Sequence, residues 1–136
     1  MALKIVRFLH WRVWLTTAAT LITLAALACP ATAEGAVTCT YTVTNSWNGG
    51  FTANVDITNN GTAINGWTLR WTFTTPTADV RGWSAVITEQ DGNRATATNM
   101  SWNGGILTGQ TTSFGWTAAA TATGVPTDLT INGQPC

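Results

Sequence analysis

Residues 51–58 read Phe51-Thr52-Ala53-Asn54-Val55-Asp56-Ile57-Thr58, four apolar side chains alternating strictly with four polar ones. Successive side chains of an extended chain point to opposite faces, so this period of two predicts a β-strand with one face in a core and the other in water. The pattern recurs on both sides of it. Cys39, Tyr41 and Val43 alternate with Thr38, Thr40, Thr42 and Thr44, and Trp67, Leu69, Trp71 and Phe73 alternate with Thr68, Arg70 and Thr72. Fainter strands are expected over Trp83–Gln90, Arg94–Asn99, Thr111–Thr117 and Asp128–Asn132. Turn signals separate them: Asn48-Gly49-Gly50, Asn59-Asn60-Gly61, Asp91-Gly92-Asn93 and Asn103-Gly104-Gly105. Asn-Gly and Asp-Gly supply the positive φ that tight hairpins need. Short strands at this spacing over about 100 residues predict an all-β fold, a two-sheet antiparallel β-sandwich.

The first 33 residues stand apart. Lys4, Arg7 and Arg12 precede an apolar run, Val13 to Ala28, broken only by Thr, and Ala31-Thr32-Ala33 has the form of a cleavage site. This is the pattern of an N-terminal secretory signal peptide, too short in its apolar part for the ~20 residues of a membrane span. Cys29, after Ala26-Leu27-Ala28, offers lipid attachment as the other fate, with Ala26 where leucine is usual. Two regions are therefore expected, residues 1–33 as leader and residues 34–136 as one domain.

Removal of the leader takes every lysine and the one histidine, His10, leaving Arg70, Arg81 and Arg94 against Glu34, Asp56, Asp79, Glu89, Asp91 and Asp128. A domain with three cations and six acids has no basic face for phosphates, which argues against nucleic acid as a partner. Cys39 and Cys136 also remain, near the two ends of the domain. In an exported protein an even pair reads as a disulfide.

Six of the eight tryptophans lie beyond the leader, in two groups. Trp67 and Trp71 are in phase with Leu69 and Phe73, and Trp116 alternates with Phe114, so these three belong to the core. Trp47, Trp83 and Trp102 sit among polar residues and glycines, and Ser-Trp-Asn-Gly-Gly occurs twice, at residues 46–50 and 101–105. Trp47 shares the phase of Val43, so it turns outward only if the first strand ends or bulges near Asn45. Each indole can bury ~150–250 Å² on contact. Three together match the ~300–600 Å² of the largest patch on a typical monomer, which usually marks a partner surface.

A sugar ring suits such a surface. Its C–H face stacks on an indole while its equatorial hydroxyls meet Asn, Gln and Thr side chains. Base–aromatic stacking, a comparable contact, is worth ~1–3 kcal/mol per ring. Micromolar binding needs about 8 kcal/mol, so three stacks with a few hydrogen bonds suffice and one does not. Flat indoles do not enclose a chain end, so an extended or crystalline glycan face fits them best.

The stretches Asn45-Ser46-Trp47-Asn48-Gly49-Gly50-Phe51-Thr52-Ala53-Asn54-Val55, Ile64-Asn65-Gly66-Trp67-Thr68-Leu69, Ser101-Trp102-Asn103-Gly104, Ser113-Phe114-Gly115 and Leu129-Thr130-Ile131-Asn132-Gly133, with the terminal cysteine pair, resemble a family 2 carbohydrate-binding module of the cellulose-binding subtype. The resemblance implies an immunoglobulin-like β-sandwich that binds cellulose without catalysis, chitin or xylan being the targets of some members. It also implies a stacking platform of Trp47, Trp83 and Trp102, a buried Trp67, and Asn45 and Asn54 as polar groups beside the platform. Arg81 stands where related modules often carry glutamine, Ser113 and Thr117 replace longer amides, and Trp71 and Trp116 stand where phenylalanine is common.

Catalysis is not expected. Glycoside hydrolysis needs two carboxylates ~5–9.5 Å apart across a cleft, and the six acids show no such pairing in sequence. Glu89 and Asp91 flank a turn and read as solvated. No histidine survives for a Ser-His-Asp triad or, with two cysteines, for zinc. Calcium through Asp79, Glu89 or Asp91 stays open, although no ligand loop of the required spacing joins them. The expectation is a secreted, extracellular monomer with no cofactor or metal, and no membrane contact once the leader is gone. The competing reading is a secreted adhesive sandwich that binds protein, in which the indoles would cluster in a pocket instead of lining a strip.

Overall fold

The computed structural model describes residues 36–90 and 93–136. The proposed leader and the Asp91-Gly92 step lie outside them. Strand β1 (Val37–Trp47) turns through Asn48-Gly49 into β2 (Gly50–Asn59), which holds the stretch that decided the fold. The alternation reads correctly, for Phe51, Ala53, Val55 and Ile57 are buried while Thr52, Asn54, Asp56 and Thr58 are half-buried. Two-residue β3 (Ile64–Asn65) is followed by β4 (Thr68–Thr72), β5 (Thr77–Trp83), β6 (Ala85–Gln90) and β7 (Arg94–Asn99). The chain ends with β8 (Gly105–Ile106), β9 (Thr111–Ala120), β10 (Thr130–Ile131) and β11 (Gln134–Pro135). One sheet has the order β1-β2-β9-β5, the other β11-β10-β4-β7-β6, and β3 pairs with β8 alone. All pairings are antiparallel.

The core between the sheets is aromatic. Trp116 of β9 stacks on Trp71 of β4 with ring centroids 4.9 Å apart, and Trp67 stacks on Phe114 at 5.3 Å. Tyr41 meets Trp116 edge-on at 5.4 Å. Facing residues on β7 are small, Ala95 and Ala97, which leaves depth for the indoles at interior packing density. Burial raises the Tyr41 hydroxyl to about 12, and among the described residues neither it nor the Nε1 groups of Trp71 and Trp116 have hydrogen-bond partners. The Cys39–Cys136 disulfide joins β1, an edge of the first sheet, to the residue after β11, an edge of the second. It closes a 97-residue separation, for which the chain-entropy model gives roughly 4–5 kcal/mol.

One expected strand is wrong. Trp83–Gln90 is not continuous: Trp83 ends β5 in the first sheet, Ala85 begins β6 in the second, and Ser84 between them has φ +61°. Trp83, Ala85 and Ile87 keep a period of two through the switch, so alternation alone cannot reveal it. Strand β5 itself escaped because a backbone irregularity breaks its pattern.

Candidate binding face

The outer face of the first sheet can be laid out row by row, since directly opposed residues of an antiparallel pair share a face. On β1 the register shifts between Val43 and Asn45, which pair with Ala53 and Thr52 respectively. The extra residue, Thr44, reverses the parity of everything after it. Val43 faces the core, whereas Asn45 and Trp47 face out beside Thr52 and Gly50. The bulge that Trp47 required is therefore present.

The opposite edge strand uses the same device. On β5 the register shifts between Ala78 and Arg81, paired with Ala119 and Thr117, and Asp79 lies in the left-handed region at φ +54°. Glu89, exposed near the end of β6, accepts a 3.1 Å hydrogen bond from the Val80 backbone N–H at this bulge. After it, Arg81 and Trp83 face outward and Gly82 faces in, so close to Ile87 that a Cβ would stand 2.7 Å from its Cδ1. Without one extra residue on each edge strand, both tryptophans would point into the sandwich.

Three rows result. The first holds Trp47, Gly50, Ala119 and Ala78; the second Asn45, Thr52, Thr117 and Arg81; the third Thr42, Asn54, Gly115 and Trp83. Glycines make the floor under the rings. A Cβ on Gly50 would meet Trp47 Cε2 at 2.8 Å, and a Cβ on Gly115 would run into the Trp83 ring. Each indole thus leans inward over the neighbouring strand. Four residues of β2 separate the two floors' rows, about 13 Å along the sheet.

Polar groups fill the same face. Asn54 donates through Nδ2 to Asp56 Oδ1 at 2.8 Å, and Ser113 Oγ donates to the same oxygen at 2.6 Å. That arrangement orients the Asn54 amide and leaves its carbonyl oxygen without a partner among the described residues. Asn45 is exposed beside Trp47, and its side chain makes no hydrogen bond with any described residue.

Trp102 comes from the loop between β7 and β8. Its neighbour Asn103 is buried and fastens the loop: Nδ2 donates to the Ser84 carbonyl at 2.7 Å, and Oδ1 accepts from the Met100 N–H at 2.7 Å. The Asn103 carbonyl accepts the Trp67 indole N–H at 2.9 Å. Trp102 is therefore tied through one residue to the backbone beside Trp83, and through another contact to the core. Trp47, Trp83 and Trp102 are between 45% and 69% exposed, whereas Trp67, Trp71 and Trp116 are at most 2% exposed. The sequence reading missed Gly50, Gly115 and Asn103 as parts of the site. Glycines inside strands were the available signal; Asn103 was read only as a turn residue. No group of three or more His, Cys, Asp or Glu among the described residues could hold a metal ion.

A β-sandwich that holds large apolar rings out to solvent on buttressed positions is a binding module. The chain belongs to the family 2 carbohydrate-binding modules, a non-catalytic family: the family described as cellulose binding domain matches residues 37–136. It is 41% identical over 128 residues to endoglucanase CelA of Streptomyces lividans, covering 90% of this chain and 27% of that enzyme. The chain thus spans about a quarter of that relative's length. Among solved structures, the chitin-binding domain of Chi18aC from Streptomyces coelicolor is 33% identical with a TM-score of 0.61, over 74% of this chain and 94% of that one. The cellulose-binding family 2 carbohydrate binding domain of ScLPMO10C is 32% identical with a TM-score of 0.55, over 70% of this chain and 92% of that one.

Proposed function

We propose that the domain formed by residues 34–136 holds an insoluble β-linked polysaccharide, crystalline cellulose, by stacking its sugar rings on Trp47, Trp83 and Trp102. The single observation that carries this reading is that two separate bulges turn Trp47 and Trp83 onto one face, where each ring covers a glycine. Nothing in folding calls for that, because both residues would bury more apolar surface facing inward. Asn45 and the oriented amide of Asn54 bond sugar hydroxyls beside the rings. The module acts outside the cell after residues 1–33 are removed, as a monomer, with no nucleic acid or membrane as partner.

Chitin is the second reading. It is favoured by the 33% identity to a domain named as chitin-binding, and an open face leaves room for an acetamido group. The test is retention on microcrystalline cellulose, chitin and insoluble xylan with soluble glucose as competitor. Retention on cellulose that glucose does not displace supports the proposal, and stronger retention on chitin supports the second reading. A protein that stays in the supernatant over all three solids refutes both, and the protein-binding sandwich then takes their place.

A further inference from the structure

Arg81 occupies the row between the two indole rows, at the β5 end of Asn45-Thr52-Thr117-Arg81. A glycan chain lying across Trp47 and Trp83 must cross this row, with Arg81 along one flank and Asn45 along the other. The Arg81 side chain is exposed and has no ion pair or hydrogen bond with any described residue. No acid among the described residues forms an ion pair with it, although Asp79 and Glu89 both lie at the same bulge. Glu89 accepts the Val80 N–H, and Asp56, which accepts from Asn54 and Ser113, lies on β2, four residues further along than Arg81's row. That offset is about 13 Å along the sheet, beyond a Debye length of about 8 Å at physiological salt. Asp79 precedes the row at the bulge. The other two arginines of the domain, Arg70 and Arg94, lie on β4 and β7 in the opposite sheet.

We infer that Arg81 lets this face take glycans that carry carboxylates, with a contact that neutral glycans do not make. The inference rests on the stacking reading above and names a substrate class for the same face. Carboxylates on a β-linked chain project from the ring edge, whether at C6 of an oxidised glucose or on a uronic acid side group. A chain stacked on the indoles directs one edge toward Arg81. A guanidinium there presents two parallel N–H donors that match a carboxylate, a geometry that a hydroxyl cannot complete and a lysine ammonium cannot reproduce. The domain's net negative charge opposes approach to a polyanionic solid, so the gain must come from this local contact and be sensitive to salt.

The experiment compares the wild-type protein with Arg81→Gln and Arg81→Lys on three solids: unmodified microcrystalline cellulose, the same cellulose oxidised to carboxylate at C6, and insoluble xylan bearing glucuronic acid. Thermal melts establish that all three proteins are folded. On unmodified cellulose the three should bind alike. On a carboxylated solid Arg81→Gln should bind about two- to fivefold more weakly than wild type, as expected for an exposed charge pair, with Arg81→Lys between them. The difference should vanish in about 1 M salt, where the Debye length is about 3 Å. Loss confined to oxidised cellulose identifies C6 carboxylates as the ligand, and loss confined to the xylan identifies uronic acid groups. Equal binding of wild type and Arg81→Gln on both carboxylated solids overturns the inference and leaves the stacking proposal standing. Failure of the wild type on every solid overturns the stacking proposal itself.

Discussion

Strand β9 separates two tryptophans that do opposite things. Trp116 points inward and stacks on Trp71 in the core; beside it Gly115 points outward and carries the ring of Trp83. The inner ring is held by aromatic neighbours and the depth left by small residues on the facing sheet. The outer ring is held by a missing side chain beneath it and a bulge that aims it. One residue type thus serves as filler or as surface according to a single reversal of parity. The floor of glycine matters because an indole propped over a side chain would stand away from the sheet and lose the contacts that limit its rotamers.

Six substitutions can break or sharpen this contrast. The largest effect is expected from the inner group: Trp67→Ala should destabilise the domain by about 3–5 kcal/mol in a denaturant melt, as a buried large-to-small change does. It also removes the donor to the Asn103 carbonyl. Asn103→Ala comes next. It strands the Ser84 carbonyl and the Met100 N–H, each half-buried or nearly so, and should cost about 1–3 kcal/mol in the same melt. Because it loosens the Trp102 loop without touching a ring, retention on cellulose should fall as well. A variant with full retention would show that the loop needs no tether.

The outer group should behave the other way. Trp47→Ala, Trp83→Ala and Trp102→Ala should each cost the domain no more than about 1 kcal/mol, well below the change at Trp67. Each should weaken retention on cellulose by about 1–3 kcal/mol, the worth of one stack. Equal losses of thermal stability in both groups would abolish the distinction between them.

The smallest effect tests the core alone. Tyr41→Phe removes a buried hydroxyl that has no partner among the described residues and should stabilise the domain by about 1 kcal/mol. The sign also depends on pH. The folded-state value, about 12, lies above the ordinary 10, so the neutral form is favoured in the folded protein. Stability is therefore complete below pH 10 and falls as pH rises towards 12, because the unfolded chain gives up that proton first. Tyr41→Phe should lack this part of the alkaline decline, and an identical decline in both proteins would assign it to other groups.

Strict alternation in β2, β4 and β9 was enough to place Trp67, Trp71 and Trp116 inside and Asn54 outside, because one buried face imposes a period of two on any strand that spans it. The even pair Cys39 and Cys136 was likewise readable as a disulfide, and the structure forms it. Trp47 was only half legible. Its phase pointed inward, and outward placement depended on a bulge that Thr44 does not advertise. Trp83 was assigned to the wrong strand, since its alternation runs unbroken through a change of sheet at Ser84.

From the chain alone came the fold class, the inner and outer faces of regular strands, and the division of the tryptophans by their surroundings. Local pattern carries those because each depends on neighbours one or two residues away. Only tertiary structure decided that Trp47 and Trp83 share a face, that Gly50 and Gly115 lie beneath them, and that Arg81 borders the track between. Those facts depend on register between strands far apart in sequence. An extra residue that leaves composition untouched reverses every side chain after it.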